Sequence, residues 1–247
     1  MYQFRPISPR IQEMRSRIRN RRVQLDSERA RIITEEFKKH VTLVPTIRRP
    51  TITKAVAEQM TMRVEDFDVL AGNLGRFFSS SCPNPAMRGD NLWIIQAIEK
   101  GEWYMGEDGL WHNPDTDDYR IMAAPEDVEY MQSIAEFWKD KSFNTCGDGW
   151  APEGLDELCR MGATKHNVFL KHLVGCRPGH LIPGHEKIIN VGYGAIRKQA
   201  QDWIDEHRGN LMGDDVNKYM FYTAVVITCD GASLLARRYA AKCEEMA

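Results

Sequence analysis

The chain has 247 residues, 43% of them hydrophobic and 28% charged, with a formal net charge of −2. This is ordinary globular composition and enough polypeptide for a real core, and so balanced a charge gives no global attraction to nucleic acid or an anionic membrane. Six cysteines (Cys82, Cys146, Cys159, Cys176, Cys229, Cys243) are scattered without a C-x-x-C pair, which speaks against a disulfide scaffold or a zinc knuckle and for reduced, mostly buried thiols in a cytoplasmic protein.

The first 22 residues lack the apolar stretch of a secretory signal, and nowhere do eighteen apolar residues run consecutively, so no membrane-spanning helix is expected. From Ser8 to His40 the pattern reads as helix. Ile11, Met14 and Ile18 recur at helical spacing, and Ala30, Ile33 and Phe37 do so again after a start signal at Asp26-Ser27. Arg15, Arg17, Arg19, Arg21 and Arg22 form either a phosphate-binding face or, without interleaved aromatics or glycines, a solvated face that pairs with acidic surface elsewhere. Pro45 and Pro50 are expected to bracket a turn, Thr51 to Met62 to form a helix, and Asp68 to Asn73 a short strand. Residues 75–125 read as a loop-rich insertion whose Trp93, Trp103, Tyr104 and Trp111 argue for a packed extension. A helix is expected from Pro125 through Trp138, with its acids at the favourable end of the dipole, and another from about Glu153 to His172. A third should follow Pro183 and run to Glu206. The last, Asp214 to Met246, offers Phe221, Val225, Thr228, Ser233 and Ala236 as a face suited to burial, and the helical pattern is still running at Ala247, a hint of truncation.

Several catalytic patterns are missing: a Walker loop, a strand-linked G-x-G-x-x-G, H-E-x-x-H and G-x-S-x-G. The acids at Asp115, Asp117 and Asp118 lack the glycine and distal glutamate of a calcium loop. Four histidines, His166, His172, His180 and His185, cluster, but their spacings of 6, 8 and 5 do not place two ligands one helical turn apart, so no metal site is expected. A helix through residue 176 would instead align Lys165, Phe169, His172 and Cys176 on one face. That stripe reads equally as a pocket wall or as a satisfied core histidine among packing residues.

The order of segments resembles a known family. Leu25 to His40 is similar to the glycyl radical enzyme helix in which an acid–arginine pair precedes a run ending in an aromatic and lysines. Pro45-Thr-Ile-Arg-Arg-Pro-Thr, Ala55 to Met62 and Glu65 to Gly72 resemble its next helix and strand, and Phe137-Trp138-Lys139 a further element. Gly179-His-Leu-Ile-Pro-Gly-His-Glu-Lys-Ile-Ile resembles the G-H-x-x-P segment, and Ala236-Arg-Arg-Tyr-Ala-Ala-Lys-Cys-Glu-Glu-Met-Ala the end of a family helix. The chain is thus similar to the N-terminal portion of pyruvate formate-lyase-like glycyl radical enzymes. The aromatic-rich stretch around 82–120 departs from the family pattern.

The resemblance implies a mainly α fold with a few short strands, the helical N-terminal region of a ten-stranded α/β barrel. It also implies a lyase, dehydratase or decarboxylase acting on a small polar molecule through a glycyl radical carried elsewhere in the enzyme and installed by a radical S-adenosylmethionine activating enzyme. No cofactor is expected on this chain itself. Neither radical motif is present: Gly175-Cys176 continues as Arg177-Pro178 instead of G-C-V-E, and Val191-Gly192-Tyr193 only mimics R-V-x-G-Y. No catalytic residue is therefore assigned. His172, His180 and Phe169 match positions that contribute substrate contacts in the family. Expected partners are the small-molecule substrate, the remainder of the enzyme or a complementary subunit, the activating enzyme, and a second copy in a homo-oligomer, with no nucleic acid and no membrane. The alternatives are a non-catalytic partner subunit of the same fold and an arginine-faced helical nucleic-acid binder.

Overall fold

The computed structural model describes residues 6–68, 70–73, 75–86, 93–114, 120–142 and 184–247. Helix α1 (Pro9–Asn20) begins at Ser8, whose hydroxyl accepts from the Ile11 amide, with Pro9 at the first helical position where no amide is required. It buries none of its residues. The chain does not continue as helix: Val23–Leu25 forms strand β1, and only then does α2 (Glu28–Lys39) start. Three residues are too few for a periodicity to register, so this strand was not expected from the sequence.

Helix α3 spans Pro45–Gln59 with Pro50 inside it, where a turn was expected. Pro45 occupies the first helical position, and Pro50 costs the single hydrogen bond to the carbonyl one turn back. The strand expected at Asp68–Asn73 does not form. Its described residues are held instead by side chains, with Asn73 Nδ2 donating to Asp68 Oδ2 at 3.1 Å and the Tyr239 hydroxyl donating to the Asn73 carbonyl. Within the stretch expected to be loop-rich lie β2 (Ser80–Ser81), α4 (Trp93–Glu99), β3 (Tyr104–Met105), β4 (Trp111–His112) and β5 (Ile121–Ala123). The five strands make one mixed sheet in the order β2-β1-β5-β4-β3. β1 is parallel to both β2 and β5, with Gln24 opposite Ser80 and Met122, while β3, β4 and β5 pair antiparallel.

Helix α5 runs Pro125–Trp138, as its pattern predicts, and buries Val128, Met131, Ile134 and Trp138 at helical spacing. These meet Leu25, Ala30, Ile33, Ile94, Ile95, Trp103, Ile121 and Ala123 in the main core, with Trp111 packed at its edge. The aromatic extension is thus packed at Trp103 and Trp111. Trp138, 1% exposed, donates its indole N–H to Thr34 Oγ1 at 2.9 Å, and Thr34 donates onward to the Ala30 carbonyl at 2.7 Å, so a large ring is buried with no unmet donor.

Helix α6 (His185–His207) is two helical pieces joined at Gly192, whose φ of +77° favours glycine. The Gly192-Tyr193 sequence is therefore the joint of a kinked helix. Helix α7 (Asp215–Met246) packs on α3 and α6. Gly231 sits against Lys54, Leu235 packs on Ile32, Ala55 and Met60, and Arg238 donates to the Ala57 and Met60 carbonyls (2.6 and 2.9 Å), satisfying the open end of α3. Arg197 Nε donates to Asp230 Oδ1 at 2.6 Å across α6 and α7. The face expected to be buried is not the one used: Phe221, Thr228 and Ala236 are exposed, whereas Cys229, Gly231 and Tyr239 are buried. Helix α7 is also long and apolar enough to cross a membrane by length and composition, which a search for consecutive apolar residues does not detect because polar residues interrupt the run.

Candidate functional site

The three parallel strands end on the same side of the sheet, and the most heavily hydrogen-bonded charged group among the described residues gathers there. Asp26 and Ser27 follow β1, Cys82 follows β2, and Asp127 lies in the first turn of α5 just beyond β5. Asp26 and Ser27 are each 1% exposed and Asp127 is 3% exposed. Burying two carboxylates requires compensation, and Arg76 supplies it. Its Nε donates to Asp26 Oδ1 (2.8 Å), its backbone amide to Asp26 Oδ2 (2.7 Å), and its Nη2 to Asp127 Oδ1 (2.8 Å). Ser27 donates to the same Asp127 oxygen through its hydroxyl (2.5 Å) and its amide (3.2 Å), and the Glu28 amide donates to Asp26 Oδ1 (3.1 Å), capping α2.

Burial works against the charge on Arg76, and the bonds to Asp26 and Asp127 more than offset it, so its pKa lies above the usual guanidinium value. Burial, with the Asp26 charge behind it, pushes the Cys82 thiol up to about 11, which favours the neutral thiol over the thiolate. The chemistry of this cluster is therefore mechanical: it locks β1, the 76–82 turn and α5 to one another at the edge of the sheet. Sequence reasoning saw Asp26-Ser27 only as a helix start and Asp127 only as a dipole-stabilised acid. Nothing in the local pattern links either to Arg76, 50 residues away.

A second polar centre is His112, 6% exposed. Arg22 Nη1 donates to its Nδ1 at 2.9 Å, which makes Nε2 the protonated nitrogen, donating to Asp108 Oδ1 at 2.9 Å. That bond, aided by the Leu110 amide, holds the Asp108 carboxyl below its ordinary value. Tyr104 stacks on the imidazole at 5.6 Å. The hairpin β3–β4 is thereby tied to the segment leading into β1. Among the described residues no three His, Cys, Asp or Glu side chains converge as a metal site.

The sequence-predicted substrate contacts His172, His180 and Phe169, with Lys165, Cys176 and the helix expected from Glu153 to His172, lie outside the described residues. So do Asp115, Asp117, Asp118 and His166; His185 alone of the four clustered histidines is described, exposed at the start of α6. Cys82, Cys229 and Cys243 are free thiols.

Over residues 5–247 the sequence matches the family model described as "Pyruvate formate lyase-like". The chain belongs to the pyruvate formate lyase-like family of glycyl radical enzymes. Its similarity to the isethionate sulfite-lyase of Nitratidesulfovibrio vulgaris is 25% identity over 238 residues, covering 92% of this chain and 26% of that protein. Its similarity to the trans-4-hydroxy-L-proline dehydratase of Clostridioides difficile is 24% over 245 residues, covering 96% of this chain and 28% of that protein. In fold it is similar to the glycerol-bound B12-independent glycerol dehydratase from Clostridium butyricum, with a TM-score of 0.78 at 23% identity over 99% of this chain and 29% of that one. The pyruvate formate lyase-like chain thus spans about a quarter of the length of these relatives. Within it, the Asp26–Arg76–Asp127 lock and the Arg22–His112–Asp108 tie hold the sheet and its hairpin in place.

Proposed function

We propose that this chain is the N-terminal part of a glycyl radical lyase or dehydratase that cleaves a C–C, C–O or C–N bond of a small polar substrate. One observation carries the reading: the family match runs through residues 5–247 and the relatives it brings in are lyases and dehydratases. On this reading the described helices and mixed sheet form the outer region that leads into a ten-stranded barrel. The glycyl radical resides on polypeptide beyond these residues, is installed by a radical S-adenosylmethionine activating enzyme, and supplies the hydrogen-abstracting thiyl. Residues 1–247 alone are then inactive, because neither G-C-V-E nor R-V-x-G-Y occurs in them.

The chain's own contribution is one wall of the substrate pocket. His172 and His180 hydrogen-bond a hydroxyl or carboxylate and hold the substrate in register for abstraction, with Phe169 packing beside them. A cytoplasmic setting agrees with the free thiols at Cys82, Cys229 and Cys243.

The test is steady-state kinetics of the complete, anaerobically activated enzyme bearing His172→Ala or His180→Ala. Each is expected to lower kcat/KM with the melting temperature unchanged. Wild-type kinetics in both variants would remove the pocket assignment.

A further inference from the structure

Helix α6 breaks at Gly192, and the two pieces on either side of the break are held very differently. The second piece, residues 193–207, is anchored: Ala200 and Ile204 are buried, Arg197 pairs with Asp230 at 2.6 Å, and the Trp203 ring lies 4.7 Å from that of Tyr222 on α7. The first piece, residues 185–191, buries none of its residues, and Ile189 is 81% exposed. Among the described residues no side-chain hydrogen bond or ion pair ties this piece to another element. Its direction is therefore set by the joint.

That joint needs glycine. Gly192 has φ +77° and ψ 161°, a region of backbone space essentially reserved for a residue without a Cβ. The requirement is conformational and not steric, because a Cβ added at Gly192 would meet nothing within 4 Å. Two residues on, Gly194 is equally open to a Cβ but has ordinary helical backbone. The helix thus carries a matched pair, one glycine on which its direction depends and one on which it does not. With alanine at 192, helical φ and ψ become the favoured state, and the two pieces merge into one straight helix. The far end of the first piece lies about 10 Å from the joint at 1.5 Å per residue, so straightening carries His185 sideways by several ångström.

His180 lies five residues before His185 in the sequence. We propose that Gly192 is a positioning residue: its bend sets the angle at which α6 receives the chain from the Gly179-His180 segment, and so where that segment is delivered to the substrate. The proposal rests on the lyase or dehydratase reading above. Val191-Gly192-Tyr193, which only mimics a radical motif, thereby acquires a geometric role. A misplacement of ~1 Å can cost a reaction about 100-fold, so a bend remote from the chemistry is sufficient to govern it.

The test compares Gly192→Ala, Gly194→Ala and His180→Ala in the complete, anaerobically activated enzyme. One readout is steady-state kinetics. The other, taken before activation, is the distance by pulsed electron paramagnetic resonance between spin labels on non-natural residues at the exposed positions His185 and Ala236. Gly192→Ala is expected to shift that distance and to lower kcat/KM about tenfold or more. Its melting temperature should be equal or higher, since alanine is the better helix former. Gly194→Ala should share only the gain in melting temperature, a contrast that a merely structural glycine would not produce. An unchanged distance, or wild-type kinetics, in Gly192→Ala overturns the proposal. So does a lowered melting temperature, which would mean that the rest of the enzyme clamps the first piece from outside and forces alanine into the glycine conformation. His180→Ala separates this proposal from the one beneath it. A slow Gly192→Ala beside a wild-type His180→Ala removes that histidine's pocket role and leaves the joint's standing, and the opposite pair of results does the reverse.

Discussion

Replacing Arg76 with methionine keeps most of the side-chain volume while removing the cation that bridges two buried carboxylates. Two charged hydrogen bonds disappear, to Asp26 and to Asp127, each worth ~1.5–3 kcal/mol. The Arg76 side chain is 33% exposed, which places the loss at the low end, about 3 kcal/mol in all. Asp26 keeps the Arg76 and Glu28 amides and Asp127 keeps Ser27, so the network is damaged without being emptied. Of a domain stability of ~5–15 kcal/mol, such a loss is readily measured. Urea unfolding followed by circular dichroism and tryptophan fluorescence provides the assay, Trp138 being fully buried. The decisive comparison adds Asp127→Asn. With Arg76 in place that change sacrifices an ion pair, whereas in Arg76→Met it removes an unpaired charge, so the double variant should be more stable than the sum of the single losses predicts by about 1 kcal/mol or more. Strict additivity, or a loss below about 0.5 kcal/mol for Arg76→Met, would refute the lock.

Two further outcomes follow from the packing of α2 and α7 on α3. Lys39, foremost, with Gln59 and His40, holds the Glu36 carboxyl below its ordinary value of 4.5 while burial opposes them. A lowered carboxylate contributes stability that is present above the unfolded pKa and is lost as pH falls through the folded one. The stability gap between wild type and Glu36→Gln should therefore be constant near neutrality and shrink once the pH drops below 4.5, and a gap that persists into acid would contradict the assignment. At Gly231 an added Cβ would lie 3.1 Å from the Lys54 Cα and 3.2 Å from its Cβ. Gly231→Leu should cost ~1–3 kcal/mol by forcing α7 off α3, measured as a lowered urea midpoint. A neutral result would mean the two helices are not this close.

Much of the helical framework was legible from local signals. α5 declared itself through Pro125, its first-turn acids and an unbroken 3.6-residue apolar rhythm. α6 and α7 were placed within a residue or two, but the kink at Gly192 was not foreseen. Short strands escaped because two or three residues carry no periodicity, and the parallel half of the sheet depends on partners 56 and 98 residues apart. Pro50 misled because a proline one turn into a helix costs one bond that α3, packed on α2 and α7, can afford to lose. The apolar face of α7 was misjudged for a related reason: several of its faces are apolar, and the close fit of Gly231 on Lys54, with Arg238 closing α3, selects the one that packs.

Family membership was a property of sequence, because it rests on ordered segments along the chain. The proposed pocket histidines likewise come from a linear motif. What only the tertiary structure decided is where charge goes. Asp26, Arg76 and Asp127 are unremarkable surface-type residues when read in line, and they become a buried lock because β1 and β5 end side by side and the turn ahead of β2 brings Arg76 between the two carboxylates. Arg15 and Arg19 belong to the same basic run as Arg17 and Arg22, yet the fold consumes the latter two and leaves the former exposed. Local pattern specifies helices through interactions within a few residues. Which polar groups are paired, and which stay exposed, is set by contacts across the whole chain.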